Sequence, residues 1–441
     1  MKISQTSALL MGFSGLVQGA PWLREKIGNV KRDNGTTDPM LQLSSDSSFH
    51  FEILRVLSGA PYQGADIGEV LVAANKIVPG DFESYYSAFY DLASRVHSTS
   101  QAIDSKKYPV SARNALFREA TYYRSADFYL HGNKSDPRIN SLWEQQLASF
   151  DAAIALLPVP GKRITIQADG FTIPAIFYGT GLPGRRPTML MCSGFDGSQE
   201  EMYHQVGEAV VQRGMNVITF EGPGQPTVRR QQNLGFIPEW EKVVTPVLDW
   251  ALKRREVDPH KVGLWGSSFG GYLAPRAAAV EHRLAAVVAF DGIYSFADGI
   301  AKQFGADAVA LFKSGNKTAF NLALEAALVS PKASTGTKWG IEQGMWSFNA
   351  DTPYEWFSDV QKYTLEGLVQ NITVPVYVGD AQNDQFFPGQ AVALAQALGD
   401  RATYRNFLNA DGAGEHCSLG ASVLSNQVVL DWFEDVVGWT R

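Results

Sequence analysis

Cysteine is nearly absent from this 441-residue chain. With only Cys192 and Cys417 present, a disulfide framework and a multi-cysteine metal centre are excluded, and at most one bridge can form. No metal or other cofactor is expected. Basic clusters are missing as well. The 38 Lys and Arg residues against 45 Asp and Glu leave a formal charge of −7, with no Lys/Arg patch beyond short pairs, so no nucleic-acid partner is expected. Long apolar runs are lacking too. Residues 8–17 (ALLMGFSGLV) are too few to span a bilayer, and no transmembrane segment is expected. Charged residues make up 19% of the chain and hydrophobic ones 45%, which excludes the disordered, fibrous and coiled-coil classes. What the chain has is length, enough for one large domain and a smaller one.

The amino terminus combines Lys2, the short apolar stretch 8–17 and small residues around Val17-Gln18-Gly19, the pattern of a signal peptide over residues 1–19. A polar linker follows over residues 20–48, with a dibasic pair at Lys31-Arg32. Asn-x-Ser/Thr sequons begin at Asn34, Asn133, Asn316 and Asn371, all candidate N-glycosylation sites. These features favour the secretory route slightly over a cytoplasmic location.

Residues 49–157 carry apolar side chains at helical spacing in five stretches, for example 81–96 (DFESYYSAFYDLASRV), where an aspartate cap precedes a buried stripe. They predict a helical amino-terminal domain. From residue 163 the period changes. Two alternating stretches, 163–167 and 171–178, flank Asp169-Gly170, a tight-hairpin dipeptide. Apolar strands at 188–192, 216–220, 262–265, 284–290, 374–379 and 403–408 then alternate with helical patterns, which predicts a mostly parallel sheet with helices on both faces over residues 158–441. Residues 293–371 interrupt the alternation with helical character and are expected to form a lid insertion.

One knot organises this second part. Gly266-Ser267-Ser268-Phe269-Gly270 fits G-x-S-x-G between a strand and a helix, the elbow that presents a nucleophilic serine. Ser268 needs a base and an acid to orient that base, expected in the order Ser, Asp/Glu, His. The loop after strand 374–379 holds two carboxylates. Asp384 is chosen because it sits five residues after Gly379 and four before Pro388; Asp380 is the alternative. Of seven histidines, only His416 follows the last strand in a glycine-rich loop. An oxyanion hole is expected from the backbone N–H groups of Phe269 and Phe195, the latter in the Ser193-Gly194-Phe195-Asp196-Gly197 loop. Glu221-Gly222-Pro223-Gly224-Gln225 reads as a structural turn at the same sheet edge.

The motifs FDGSQEE (195–201), EGPGQ (221–225), GSSFGGYLAPRAA (266–278), WGIEQGMW (339–346), DQFFPGQ (384–390) and GAGEHC (412–417) resemble those of fungal α/β-hydrolases of polyketide pathways. The types resembled are the fusarin-pathway hydrolase and the pigment polyketide-shortening hydrolase. A more distant similarity is to 2,6-dihydroxypseudooxynicotine hydrolase, which cleaves a carbon–carbon bond. The resemblance runs from about residue 117 to the carboxyl terminus. It implies an α/β-hydrolase fold, a Ser268–Asp384–His416 triad, no cofactor, and a helical domain closing over the pocket. Ser193 stands where a glycine is expected. The expected activity is cleavage of an ester, lactone or β-dicarbonyl C–C bond in a small-molecule polyketide or polyketide-peptide. A lactam- or lactone-forming cyclase and a secreted esterase are the alternatives, with a non-catalytic binding protein last. A homodimer is left open.

Overall fold

Three aspartates start the amino-terminal helices of the computed structural model, which describes residues 40–440. The signal-like stretch 1–19, the dibasic pair and Asn34 lie outside the described residues. Asp46, Asp66 and Asp81 each accept two backbone N–H groups at the heads of α1 (Ser47–Ser58), α2 (Ile67–Ala74) and α3 (Phe82–Ala102), satisfying donors that a helix start leaves open. Pro109 opens α4 (Pro109–Asp127), and α5 (Arg138–Ala155) follows. The α3 stripe of Tyr85, Phe89, Leu92 and Val96 is buried in a cluster with Phe49 of α1 and Tyr122 of α4.

The hairpin β1 (Lys162–Gln167) and β2 (Thr172–Tyr178) pairs antiparallel around the Asp169-Gly170 turn. The remaining strands are β3 (Arg186–Cys192), β4 (Asn216–Phe220), β5 (Val257–Ser267), β6 (Ala286–Phe290), β7 (Val376–Ala381) and β8 (Ala402–Phe407). The sheet order is β1-β2-β4-β3-β5-β6-β7-β8. β2 pairs antiparallel with β4, and every pair from β4 to β8 is parallel. Every residue of β4 and β6 is buried, as a sheet covered on both faces requires. Among the described residues no helix is long and apolar enough to cross a membrane.

Between β3 and β4 the chain does not run as one continuous α-helix. The chain forms α6 (Gln199–Met202), a π-turn over Tyr203–Gly207 and α7 (Glu208–Gln212). α8 (Pro226–Gln232), α9 (Glu241–Leu252) and α10 (Gly270–Ala278) follow β4 and β5. β5 also starts earlier than its apolar run, because Val257 pairs with Arg186 while polar residues occupy the strand's first turn. The interval between β6 and β7 holds α11 (Phe296–Lys313), α12 (Lys317–Val329), α13 (Thr335–Ser347) and α14 (Pro353–Val360). α15 (Gln390–Leu398) and α16 (Ser422–Val437) complete the order. α13 meets the amino-terminal helices directly. Trp339 stacks on Phe128 with centroids 5.2 Å apart, Trp346 stacks on His131 at 4.1 Å, and Thr335 donates to Asp46. The carboxyl ends of β3 to β8 share one sheet edge, the place where open α/β sheets bind ligands. Asn133, Asn316 and Asn371 are all exposed.

Candidate active site

β5 delivers Leu264 and Trp265 into the core and ends at Ser267. Ser268 takes φ 59°, a left-handed conformation that a non-glycine residue holds only when its surroundings enforce it. Its N–H donates to the Phe290 carbonyl of β6 at 3.0 Å, and its own carbonyl accepts from Gly271 at 2.7 Å. Close backbone approach explains two glycines here. A Cβ on Gly266 would stand 2.0 Å from the Gly270 carbonyl oxygen, and one on Gly194 would stand 2.7 Å from the Phe269 nitrogen and 2.9 Å from Ser268 Cβ. The loop after β3 is therefore pressed against the start of α10.

Two flanking elements pin that loop. Gln225, fully buried, donates its side-chain amide to the carbonyls of Ser193 at 2.9 Å and Gly194 at 3.3 Å, while accepting from Gly222 at 3.0 Å. Glu221 in turn accepts the N–H groups of Gln199 at 2.9 Å and Thr227 at 2.6 Å. From the other side, the Gln343 amide of α13 donates to the Phe195 carbonyl at 3.2 Å. The turn 221–225 thus works as a clamp on the loop that carries Phe195.

His416 follows β8 and directs Nε2 to Ser268 Oγ at 2.8 Å. Its Nδ1 faces two carboxylates, Asp291 Oδ2 at 2.8 Å and Asp384 Oδ1 at 3.1 Å. Asp384 is held by the N–H groups of Phe386 at 2.8 Å and Phe387 at 3.0 Å, and Asp291 by the N–H of Cys417. Asp380, in β7, instead accepts the Tyr404 hydroxyl at 2.7 Å. Asp291 was not found from the sequence. Its only mark there is an acidic residue directly after an apolar strand.

Burial and charge compete strongly in this cluster. Burial alone would lower the His416 pKa, but the facing carboxylates of Asp384 and Asp291 hold it well above the ordinary histidine value. Burial pushes Asp384 upward, yet the facing imidazole and the two backbone N–H groups keep it below the usual carboxylate range. Asp291 goes the other way, raised by burial that His416 only partly offsets. Both cysteines are free thiols. Burial pushes Cys192 up to about 12 and Cys417 up to about 11. Asp291, His416 and Cys417 could together face a metal ion, their donor atoms lying within 4.8 Å of one another. Nδ1 stands at ion-pair distance from both carboxylates, and Asp291 Oδ2 already accepts the Cys417 N–H.

Ser268 and His416 line a cavity of about 740 Å³ including its mouth. Its walls are mainly aromatic: Phe195 after β3, Phe296 and Phe304 of α11, Trp339 of α13, and Phe386 and Phe387 after β7. Residues 117–129, most of them buried, do not line the cavity, and the amino-terminal helices reach it through Phe51 and Arg55 of α1. Phe51, Phe386 and Phe387 pack around the His416 ring with centroids 6.2, 4.9 and 5.9 Å away. Arg55 pairs with Asp196 at 2.9 Å and Glu201 at 2.5 Å, and Arg124 of α4 reaches Glu52 and Glu201 at 3.4 and 3.3 Å. Here three carboxylates meet two guanidiniums. Burial raises Glu52 to about 7 despite Arg55 and Arg124, whereas the two guanidiniums overcome the burial of Glu201 and hold it at about 2.

With this geometry in place, the comparisons with known proteins agree with one another. Residues 182–417 match the X-Pro dipeptidyl-peptidase (S15 family) model. The hydrolase acrC of Aspergillus aculeatus is 30% identical over 425 residues, covering 90% of this chain and 98% of the relative. The 20-hydroxy-prefusarin hydrolase of Gibberella moniliformis is 28% identical over 420 residues, covering 91% and 99%. Among solved structures, 2,6-dihydroxy-pseudo-oxynicotine hydrolase superposes with a TM-score of 0.68 at 21% identity, covering 86% of this chain and 95% of that one. The chain belongs to the α/β-hydrolase family of that S15 model, and to its group of fungal hydrolases related over some 90% of this chain's length.

Proposed function

We propose that this hydrolase works through an acyl-enzyme on Ser268 and acts on a bulky, largely apolar polyketide-type small molecule. The observation that carries the reading is the 2.8 Å contact between Ser268 Oγ and His416 Nε2 inside an aromatic-lined cavity. His416 takes the serine proton as Oγ attacks the substrate carbonyl, and Asp384 holds the imidazole in the tautomer that leaves Nε2 free. The N–H groups of Phe269 and Phe195 receive the oxyanion. The imidazolium then gives its proton to the departing group, an alkoxide for an ester or lactone and an enolate for a β-dicarbonyl. Water, deprotonated by His416, attacks the acyl carbon and releases Ser268. The substrate class rests on the walls of the cavity and on likeness to the relative named for 20-hydroxy-prefusarin. Ligand pockets combine apolar walls with placed polar groups, and here eight Phe and Trp side chains share the wall with polar ones such as Arg55, Asp196 and Gln303.

The test combines fluorophosphonate labelling with turnover of a polyketide β-dicarbonyl or ester. Wild type is labelled at Ser268; Ser268→Ala and His416→Ala each lose at least roughly 10⁴-fold in rate, and the double variant is little worse than either, because the groups act as a unit. Turnover by Ser268→Ala at the wild-type rate ends the reading.

A further inference from the structure

His416 meets a carboxylate from each of two loops at the same nitrogen, and the one the sequence did not reveal is the closer. Asp291 Oδ2 stands 2.8 Å from Nδ1 and Asp384 Oδ1 3.1 Å. The pairing follows from the sheet: β6 lies beside β7, Asp291 directly follows β6, and Asp384 comes shortly after β7. Each carboxylate has its own backbone donors, Cys417 for Asp291 and Phe386 and Phe387 for Asp384. Their side chains are 1% and 3% exposed, so solvent holds neither in place. Asp291 also carries φ 56°, a backbone strain on the order of 1 kcal/mol at a position where glycine would carry none.

We propose that Asp291 is a second positioning residue for His416, sharing the Nδ1 proton with Asp384 so that either carboxylate alone orients the imidazole. This rests on the serine-hydrolase reading above. The titratable and charged groups facing His416 are Asp384 from the β7 loop, Asp291 from the β6 loop and its neighbour Cys417; across the cavity stands Arg55 of α1, ion-paired with Asp196, Glu201 and Glu52. Two anions on one imidazole favour its charged form more than one does. Nε2 accepts the serine proton only when the ring is neutral, so the pair moves the onset of activity to higher pH. It also preserves an imidazolium able to protonate a slow-leaving carbon such as an enolate.

The experiment measures kcat/KM for p-nitrophenyl acetate across about pH 5 to 10, with fluorophosphonate labelling in parallel. The full-length variants are Asp291→Asn, Asp384→Asn and the double variant, with Asp380→Asn as control. Asparagine still accepts from the Cys417 N–H. Expected are losses of roughly 10- to 100-fold for each single variant against about 10⁴-fold for the double one, the cost of losing a sole orienting acid. The acid limb of Asp291→Asn moves about one pH unit lower than wild type. A rate and pH profile for Asp291→Asn that overlay wild type, with the full loss in Asp384→Asn alone, overturn the sharing. If Asp291→Asn does not fold, the far-downfield Nδ1 proton resonance of Asp384→Asn decides: persistence supports Asp291 as the remaining acceptor, and loss refutes it. Wild type that fluorophosphonate fails to label overturns the serine reading itself and this proposal with it, whereas labelling with overlaid profiles overturns only the proposal.

Discussion

Ser268 stores strain that its proposed nucleophilic role requires and its stability does not. At φ 59° a side chain costs on the order of 1 kcal/mol that glycine avoids, so Ser268→Gly is expected to raise the denaturant midpoint relative to Ser268→Ala while both stay inactive. Equilibrium urea unfolding of the two variants checks this; equal midpoints would mean that the surrounding loops, not the residue, set the turn. The site residues differ in how far the sequence reveals them. Ser268 is visible because its glycines and the change from strand to helix form a local pattern, and His416 and Asp384 because chain order places them in loops after identifiable strands. Asp291 has no such local pattern. Its reach to His416 depends on β6 lying next to β7, and strand order is a tertiary property that alternation of apolar residues does not encode.

At the scale of elements, the sheet was legible almost strand by strand, because short apolar or alternating runs of about four to eight residues between helical patterns have few other interpretations. The π-turn Tyr203–Gly207 was not, since one extra residue in a turn leaves no periodic trace. The turn 221–225 was read as structural and has a more specific task, holding the loop of Phe195. Gln225→Ala leaves the carbonyls of Ser193 and Gly194 and the Gly222 N–H without their partner. A cost of about 1–3 kcal/mol in stability is expected. A 10- to 100-fold drop in kcat at little changed KM should accompany it, because misplacing an oxyanion donor by a fraction of an ångström weakens only the transition state. Thermal melts and steady-state kinetics measure both. An unchanged kcat would detach this turn from catalysis.

Across the whole molecule, the largely buried ion cluster of Glu52, Arg55, Arg124, Asp196 and Glu201 joins α1 and α4 to α6 and the loop before it. Glu52 has a folded-state pKa of about 7 against an ordinary value of 4.5, so the folded protein keeps a proton that the unfolded chain releases. Its contribution to stability is complete below about pH 4.5 and is lost as pH rises through about 7. The melting temperature is therefore expected to fall between about pH 5 and 8, and Glu52→Gln should make that slope shallower. It should not abolish it, because Glu221 and Glu342 are also raised to about 7 by burial. An identical slope in the variant would assign the effect elsewhere. The twelve-residue helix α1 places Phe51 and Arg55 at the cavity, and its Ser58 hydroxyl accepts from Gly420 beyond the histidine loop at 2.5 Å. Elements outside the central sheet open as cooperative units below the global unfolding free energy, and α1, with eight of its twelve residues buried, would open as one such unit. Fraying of α1 alone would flood the cavity and slacken the loop bearing His416 while the circular-dichroism signal stayed native. On heating, activity should therefore disappear several degrees before the fold does, and reversibly, so that this one helix sets the temperature ceiling of the enzyme.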